Sequence, residues 1–112
     1  MDLREAVKIQ LEFSKSKFPN FWRVEDEKDV ALRLEYLSNA LAGEVGELAN
    51  LVKKVVRGVV YGHGGATLEA LRESIVEELT DVFIYTLTMA GFLGVDLEEA
   101  FLKKLEVNRS RF

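Results

Sequence analysis

The 112-residue sequence predicts an all-α protein, in which four helices form a bundle-like single domain over residues 1–112. Apolar residues recur at helical spacing along most of the chain, and no stretch alternates apolar and polar residues as a half-exposed strand does. Pro19 is the only proline, and the glycines lie between residues 43 and 94, so few positions interrupt long helices. A chain of this length has room for one hydrophobic core.

The predicted helices have recognisable start and stop signals. Phe18-Pro19-Asn20 ends the first helix, because proline cannot continue the hydrogen-bond ladder. Gly58 is placed to end the second helix, and Thr67 and Asp96 are suited to cap the third and fourth. The glycine-rich stretch at 61–65 is predicted to be a flexible connection. The four helices are expected at about 2–17, 26–57, 67–93 and 96–108.

Composition and charge exclude several classes of protein. The formal net charge of −4 offers no broad basic field for nucleic acid, and the absence of cysteine excludes disulfides, thiolate zinc sites and a cysteine nucleophile. The uncharged stretch from Val82 to Val95 is shorter than the roughly 20 residues of a membrane span, so a buried helix is expected there. The charged first five residues do not resemble a secretory signal, so we expect a cytoplasmic protein.

Acidic residues lie on the apolar faces of the second and third helices. With about 100° per residue, Glu44 falls in the middle of one apolar arc and Glu47 about 60° to its side. Glu78 and Asp81 repeat this arrangement on the third helix. The arcs themselves consist of leucine, isoleucine, valine and methionine, at Leu37, Leu41, Leu48, Leu51 and Val55 and at Leu71, Ile75, Val82 and Met89.

Four carboxylates that face an apolar interior predict a metal site. Unpaired ionised carboxylates are costly to bury, and neighbouring ones repel each other. Interior cations are too few to compensate, since only Lys54 falls on the same side as Glu47. Oxygen ligands without histidine or cysteine suit Mg²⁺ or Mn²⁺. The alternative, that these are surface acids of amphipathic helices, is weakened because both pairs fall on apolar arcs.

Three segments resemble a known family. Residues 41–49 read LAGEVGELA and residues 77–82 read EELTDV, which is similar to the ExxE and ExxD signature of the MazG-like nucleotide pyrophosphohydrolases, the all-α NTP pyrophosphatase superfamily. The ending KLEVNRSRF at 104–112 is similar to the family's C-terminal segment, where a lysine, an asparagine and arginines face the triphosphate. The resemblance covers about 34–112 and departs from the family in a longer gap between Glu47 and Glu78.

The resemblance implies hydrolysis of a nucleoside triphosphate to the monophosphate and pyrophosphate, in nucleotide-pool control or house-cleaning. Glu44, Glu47, Glu78 and Asp81 would bind Mg²⁺ and carry the catalysis. Contacts to phosphate or ribose are implied for five residues on two helices, namely Lys54, Lys104, Asn108, Arg109 and Arg111. The family also pairs subunits around shared sites.

A homodimer or homotetramer is also expected from the third helix, which is apolar all round. Phe83 and Leu87 lie nearly opposite Val82 and Met89, and three neighbouring helices can hardly cover every side. The partners expected are therefore a second copy and a nucleotide, with neither nucleic acid nor a membrane.

The sequence leaves the roles of two residues open, together with two alternative functions. Trp22 could stack on a base, or it could close a hydrophobic clamp between the first two helices. His63 is predicted to be exposed rather than catalytic. A phosphoribosyl-ATP pyrophosphatase is one alternative function. A non-catalytic helical metal-binding or scaffold protein is the other, although the Glu-x-x-His pairs of ferritin-like carriers are missing.

Overall fold

A computed structural model describes residues 1–112, and its only regular elements are helices. Four of them are long and one is a single turn. In chain order they are α1 (Leu3–Lys17), α2 (Pro19–Trp22), α3 (Glu27–Val59), α4 (Leu68–Leu93) and α5 (Leu97–Arg111). The predicted all-α class is confirmed, and the four long helices begin within a residue or two of the predicted positions.

The helix ends show where the sequence signals acted. The side chains of Asp2, Thr67 and Asp96 accept hydrogen bonds from backbone N–H groups in the first turns of α1, α4 and α5, so the two predicted caps are confirmed. Pro19 starts the extra turn α2, because the first helical position needs no N–H donor. α5 continues to Arg111, three residues past its predicted end, since neither glycine nor proline follows Asn108.

The chain divides into two compact units, Met1–Glu35 with Thr86–Phe112, and Tyr36–Tyr85. The first unit holds α1, α2, α5, the start of α3 and the end of α4. In it Gln10 Nε2 donates to the buried Thr88 Oγ1 at 3.1 Å. Gly91 packs under Leu11, whose Cγ would lie 2.6 Å from any Cβ at residue 91. The proposed single domain over 1–112 stays a prediction.

The second unit is a helical hairpin made of the rest of α3, the connection after Val59 and α4 up to Tyr85. The connection was predicted to be flexible, but backbone hydrogen bonds tie it to α3. Ala66 N–H donates to Lys54 O at 3.1 Å, and His63 N–H donates to Arg57 O at 3.3 Å. His63 itself is exposed, as predicted.

The apolar surface of α4 is only partly covered. Leu87 is buried in the first unit, and Val82 and Met89 are half-buried. Phe83, in the second unit, keeps 44% of its surface exposed. No single helix is both long and apolar enough to cross a membrane; α4 and α5 reach that length and composition only as a pair bent by 107°.

Candidate metal centre

Three of the four predicted acids meet within the hairpin. Glu44 and Glu47 lie one turn apart on α3, and Glu78 reaches them from α4. One carboxylate oxygen from each of the three lies within 4.8 Å of the other two. Glu44 and Glu78 are half-buried, whereas Glu47 is exposed. The site is therefore open on the side of Glu47.

Two oxygens of this cluster lack a partner. Oε2 of Glu44 and Oε2 of Glu78 are both buried, and neither accepts a hydrogen bond. Buried polar atoms are nearly always paired, because leaving an acceptor without a partner costs free energy. The two unpaired oxygens therefore indicate that a cation or a proton belongs between the helices.

The raised pKa of Glu78 also indicates that the cluster needs a neutralising positive charge or a proton. The adjacent Glu44 carboxylate, then burial and then the Glu47 carboxylate raise the pKa of Glu78 from 4.5 to about 7. Carboxylates this close cannot all stay ionised without a neutralising charge. A divalent cation can replace the proton, and a donor set made only of carboxylate oxygens suits a hard ion.

Asp81 lies outside the group of three. It follows Glu78 by one turn of α4 and is half-buried, but its oxygens are not within the 4.8 Å cluster. Tyr85, which the sequence analysis passed over, lies one turn further along. Burial foremost, then Tyr36 and the charges of Glu44 and Asp81, raise the pKa of the Tyr85 hydroxyl. The spacing of three and then four residues after Glu78 was the signal that could have identified Tyr85.

Three cations follow the acids on α3, and of these Lys53 lies on a different side of the helix from Glu47. Lys54 is exposed, seven residues after Glu47 and hence on the same face of the helix. Arg57 is half-buried, and its Nη1 donates to Gly64 O at 3.1 Å, so its guanidinium helps to hold the connection. Lys54 is thus the cation of α3 that lies on the same face as Glu47.

The other cations predicted to contact substrate lie on α5, in the first unit. Lys104 is exposed, and Asn108 is half-buried. Arg109 forms an ion pair with Glu106 in the preceding turn. Arg111 stacks over the ring of Phe112, with 5.4 Å from Cζ to the ring centroid.

Trp22 belongs to an aromatic cluster in the first unit. Its indole N–H donates to Oγ of the buried Ser14 at 2.8 Å. The ring centroids of Phe21 and Phe92 lie 5.6 and 5.8 Å from that of Trp22. Trp22 is therefore packed among residues of α1, α2 and α4, rather than between the first two long helices alone, and the polar end of the indole is already paired.

Fold and site define an all-α protein with a cluster of carboxylates suited to a divalent metal ion, set in a hairpin of two long helices. The sequence model of the MazG nucleotide pyrophosphohydrolase domain matches residues 33–111, a range that includes all four predicted acids. The chain belongs to this family, as the resemblance predicted.

Several curated proteins are similar to the chain. It is 42% identical to dCTP pyrophosphatase 1 of Homo sapiens over 73 residues, and 38% identical to that of Mus musculus over the same number. Both matches cover 65% of the chain but only 42% of the relative. Gene 37 protein of Mycobacterium phage L5 is 35% identical over 78 residues, which is 70% of the chain and 65% of that protein. No solved structure matches significantly.

Proposed function

We propose that the chain is a Mg²⁺-dependent enzyme that hydrolyses a nucleoside or deoxynucleoside triphosphate to the monophosphate and pyrophosphate. The observation that carries this proposal is the meeting of Glu44, Glu47 and Glu78, two of which have a buried oxygen without a partner. The cluster lies in the segment that matches the MazG nucleotide pyrophosphohydrolase domain.

Different residues of the hairpin have different roles in the proposed reaction. Glu44, Glu47 and Glu78 hold the ion, and Asp81 supplies a fourth carboxylate one turn along α4. An Mg²⁺ ion held there would supply positive charge that offsets the negative charge of the triphosphate, which otherwise repels a nucleophile. One of the four carboxylates accepts a proton from the water that attacks the α-phosphorus. Lys54 stabilises the charge that develops on the departing pyrophosphate.

The substrate is best searched for among pyrimidine deoxynucleotides, because two of the relatives are named dCTP pyrophosphatase 1. Lys104 and Asn108 are proposed to contact phosphate or ribose, and Arg109 and Arg111 to support them. Trp22 remains a candidate for stacking on the base, although its ring and its N–H already have partners in the aromatic cluster.

The proposal is tested by determining which phosphoanhydride bond of the triphosphate is hydrolysed. Purified protein with Mg²⁺ is incubated with dCTP and the other common triphosphates in ¹⁸O-labelled water, and the products are separated by mass. We expect monophosphate carrying the label and unlabelled pyrophosphate, with no diphosphate. Diphosphate with labelled orthophosphate would mean attack at the γ-phosphorus and would refute the assignment.

Binding without turnover is the other informative result. Isothermal titration with Mg²⁺ alone reports whether the acids hold an ion, independently of any substrate. Mg²⁺ binding by a chain that leaves all common triphosphates and phosphoribosyl-ATP intact would contradict the proposed enzyme and favour a non-catalytic metal-binding protein.

A further inference from the structure

Apolar packing constrains the direction of α5 only weakly. The helix leaves the end of α4 at a bend of 107°, after a short turn in which Gly94 has a positive φ angle of 68°. Its main neighbour is α1. None of its 15 residues is buried, and among the apolar ones only Leu97 and Leu105 are half-buried. Helices with so few buried apolar contacts open and shift easily.

The junction between α1 and the start of α5 is also incompletely filled. A cavity of about 310 Å³ lies there, and it is lined by Arg4 and Val7 of α1 and by residues 94–97. Nothing lies within 4 Å of a Cβ built at Gly94. Close-packed side chains transmit position from one element to the next, and here that packing is missing. The direction of α5 therefore depends on polar contacts at this junction.

Arg4 makes these polar contacts from the first turn of α1. Its Nε donates to Oδ2 of Asp96 at 2.8 Å, and its Nη1 lies 2.7 Å from Oε2 of Glu98. Asp96 uses its other oxygen, Oδ1, to accept from the N–H of Glu99 and so caps α5. The hydrogen bonds from Arg4 and from the Glu99 N–H lower the pKa of the Asp96 carboxyl. One guanidinium therefore binds the cap of α5 and a residue of its first turn together.

The contacts with α5 explain the position of Arg4, whereas the needs of α1 do not. A cation in the first turn of a helix opposes the helix dipole, and Arg4 lies beside the starts of two helices. The cap of α1 is supplied by Asp2, whose side chain accepts from the Glu5 N–H. An exposed ion pair adds little stability. A planar guanidinium with two partners nevertheless fixes an orientation, because its donors form a rigid fork.

The orientation of α5 matters most toward its far end. Lys104 and Asn108, proposed above to contact phosphate or ribose, follow Asp96 by eight and twelve residues. They therefore lie about 12 Å and about 18 Å along the helix from its cap. A tilt of about 10° at the start of α5 would displace Asn108 by about 3 Å. A misplacement of about 1 Å can already cost about a hundredfold in rate, so such a tilt would disturb substrate contacts.

We infer that Arg4 is a positioning residue for substrate binding, which acts by fixing the start of α5 on α1. Its effect reaches the substrate through Lys104 and Asn108, so this inference rests on the proposed function. Arg4 acts on the placement of these two side chains and has no part in the chemistry at the acids. Loss of Arg4 should therefore weaken binding of the triphosphate more than it slows the hydrolytic step.

Amide hydrogen exchange without substrate tests whether Arg4 holds α5. Arg4→Gln removes the charge and the fork, and Lys8→Gln is the matched control, since it removes an exposed cation from the next turn of the same helix. We expect the amides of α5 to exchange about fivefold faster in Arg4→Gln, because a loosely held helix opens more often. Lys8→Gln should exchange as wild type does. Exchange of α5 that is equal in Arg4→Gln and wild type would overturn the inference.

Steady-state kinetics separates positioning from a general loss of structure. Arg4→Gln should raise the KM for the triphosphate about tenfold and change kcat less than about twofold. In a chain that already carries Lys104→Ala and Asn108→Ala, Arg4→Gln should raise KM no further. A further rise in that background would overturn the inference, because Arg4 would then act by another route. Absence of turnover in wild type would contradict the proposed function, whereas hydrogen exchange would still decide whether Arg4 holds α5.

Discussion

Glu78 is the acid that α4 contributes to the cluster, and its surroundings decide how the cluster behaves. It meets Glu44 and Glu47 from the opposite helix, and one of its oxygens is buried without a partner. The neighbouring Glu77 is exposed and points about 100° away, although it differs from Glu78 by a single position. The two glutamates therefore form a matched pair for testing the site.

Glu78→Gln should lower pyrophosphate release at least a hundredfold, because the amide keeps the shape of the side chain but loses the charge that holds the ion. The metal-free variant should melt no lower than wild type, since one repulsive carboxylate is gone. Glu77→Gln should retain wild-type turnover. Equal activity of the two variants in a pyrophosphate assay would contradict the metal site.

The stability of the metal-free protein should fall as pH rises from about 4.5 to about 7. The pKa of Glu78 is raised from 4.5 to about 7 in the folded chain, so in this window the folded state binds more protons than the unfolded one. The stabilising proton is fully present below the unfolded pKa and is lost as pH passes the folded one.

Urea unfolding at several pH values in excess chelator measures this dependence, and Glu78→Gln should flatten it. Added Mg²⁺ should stabilise the protein more at pH 8 than at pH 5, because protons compete with the ion for the same oxygens. A pH profile that is the same in wild type and variant would show that Glu78 does not carry the proton.

Trp22 distinguishes a structural clamp from a substrate contact. Trp22→Phe removes the donor to Ser14 Oγ, which is buried, so the free energy of unfolding should fall by about 1–3 kcal/mol. We expect the KM for the triphosphate to stay unchanged, since the ring already packs against Phe21 and Phe92. A raised KM with unaltered stability would assign Trp22 to base stacking instead.

At the scale of elements, the connection between α3 and α4 is more than a spacer. Gly65 lies so close to α3 that a Cβ there would come within 2.3 Å of Lys54 O and Gly58 N. Gly62 and Gly64 have positive φ angles of 75° and 66°, which let the chain turn back at this point. The glycines therefore attach the start of α4 to the end of α3, and they keep the two helices of the hairpin in register.

Gly65→Ala should destabilise the protein by about 3 kcal/mol, because the added methyl group meets backbone atoms that no rotamer change can move. Gly62→Ala is the matched control, since nothing lies within 4 Å of its Cβ and only the left-handed backbone costs about 1 kcal/mol. Chemical denaturation of the two variants compares them. If Gly65→Ala were the milder change, the connection would not be held as described.

At the scale of the whole molecule, the isolated chain buries little. Leu37, Leu87 and Ala90 are its only buried apolar residues, although 48% of the sequence is hydrophobic. A marginal core of this kind is what the predicted homodimer or homotetramer would supplement by association.

If the protein is the homo-oligomer that the sequence predicts, its melting temperature should fall by several degrees on hundredfold dilution, because dissociation removes the stabilisation that association provides. Differential scanning fluorimetry across this range of concentration measures the shift. A melting temperature independent of concentration in wild type would mean that the chain is stable alone.

Much of the structure could be predicted from local sequence patterns. Helix boundaries depend on caps and breakers a few residues away, so Asp96 and Thr67 predicted two helix starts closely, whereas α3 continues through Gly58 and ends at Val59. The meeting of Glu44, Glu47 and Glu78 was also predictable, because a carboxylate in the middle of an apolar arc must face the neighbouring helix. Periodicity therefore determined the fold class and the helix faces on which the acids lie.

Long-range packing decided the rest. Asp81 is on the same helix as Glu78 but lies outside the group of three acids. Tyr85 lies near enough to Glu44 and Asp81 for their charges to raise the pKa of its hydroxyl. Both outcomes depend on how α3 and α4 face each other. The close approach of Gly65 to Gly58 likewise forms only when the connection folds back on α3. The exposure of apolar side chains on the hairpin also depends on which surfaces the folded chain covers. Sequence spacing records direction around a helix, whereas distance between helices is a property of the folded chain.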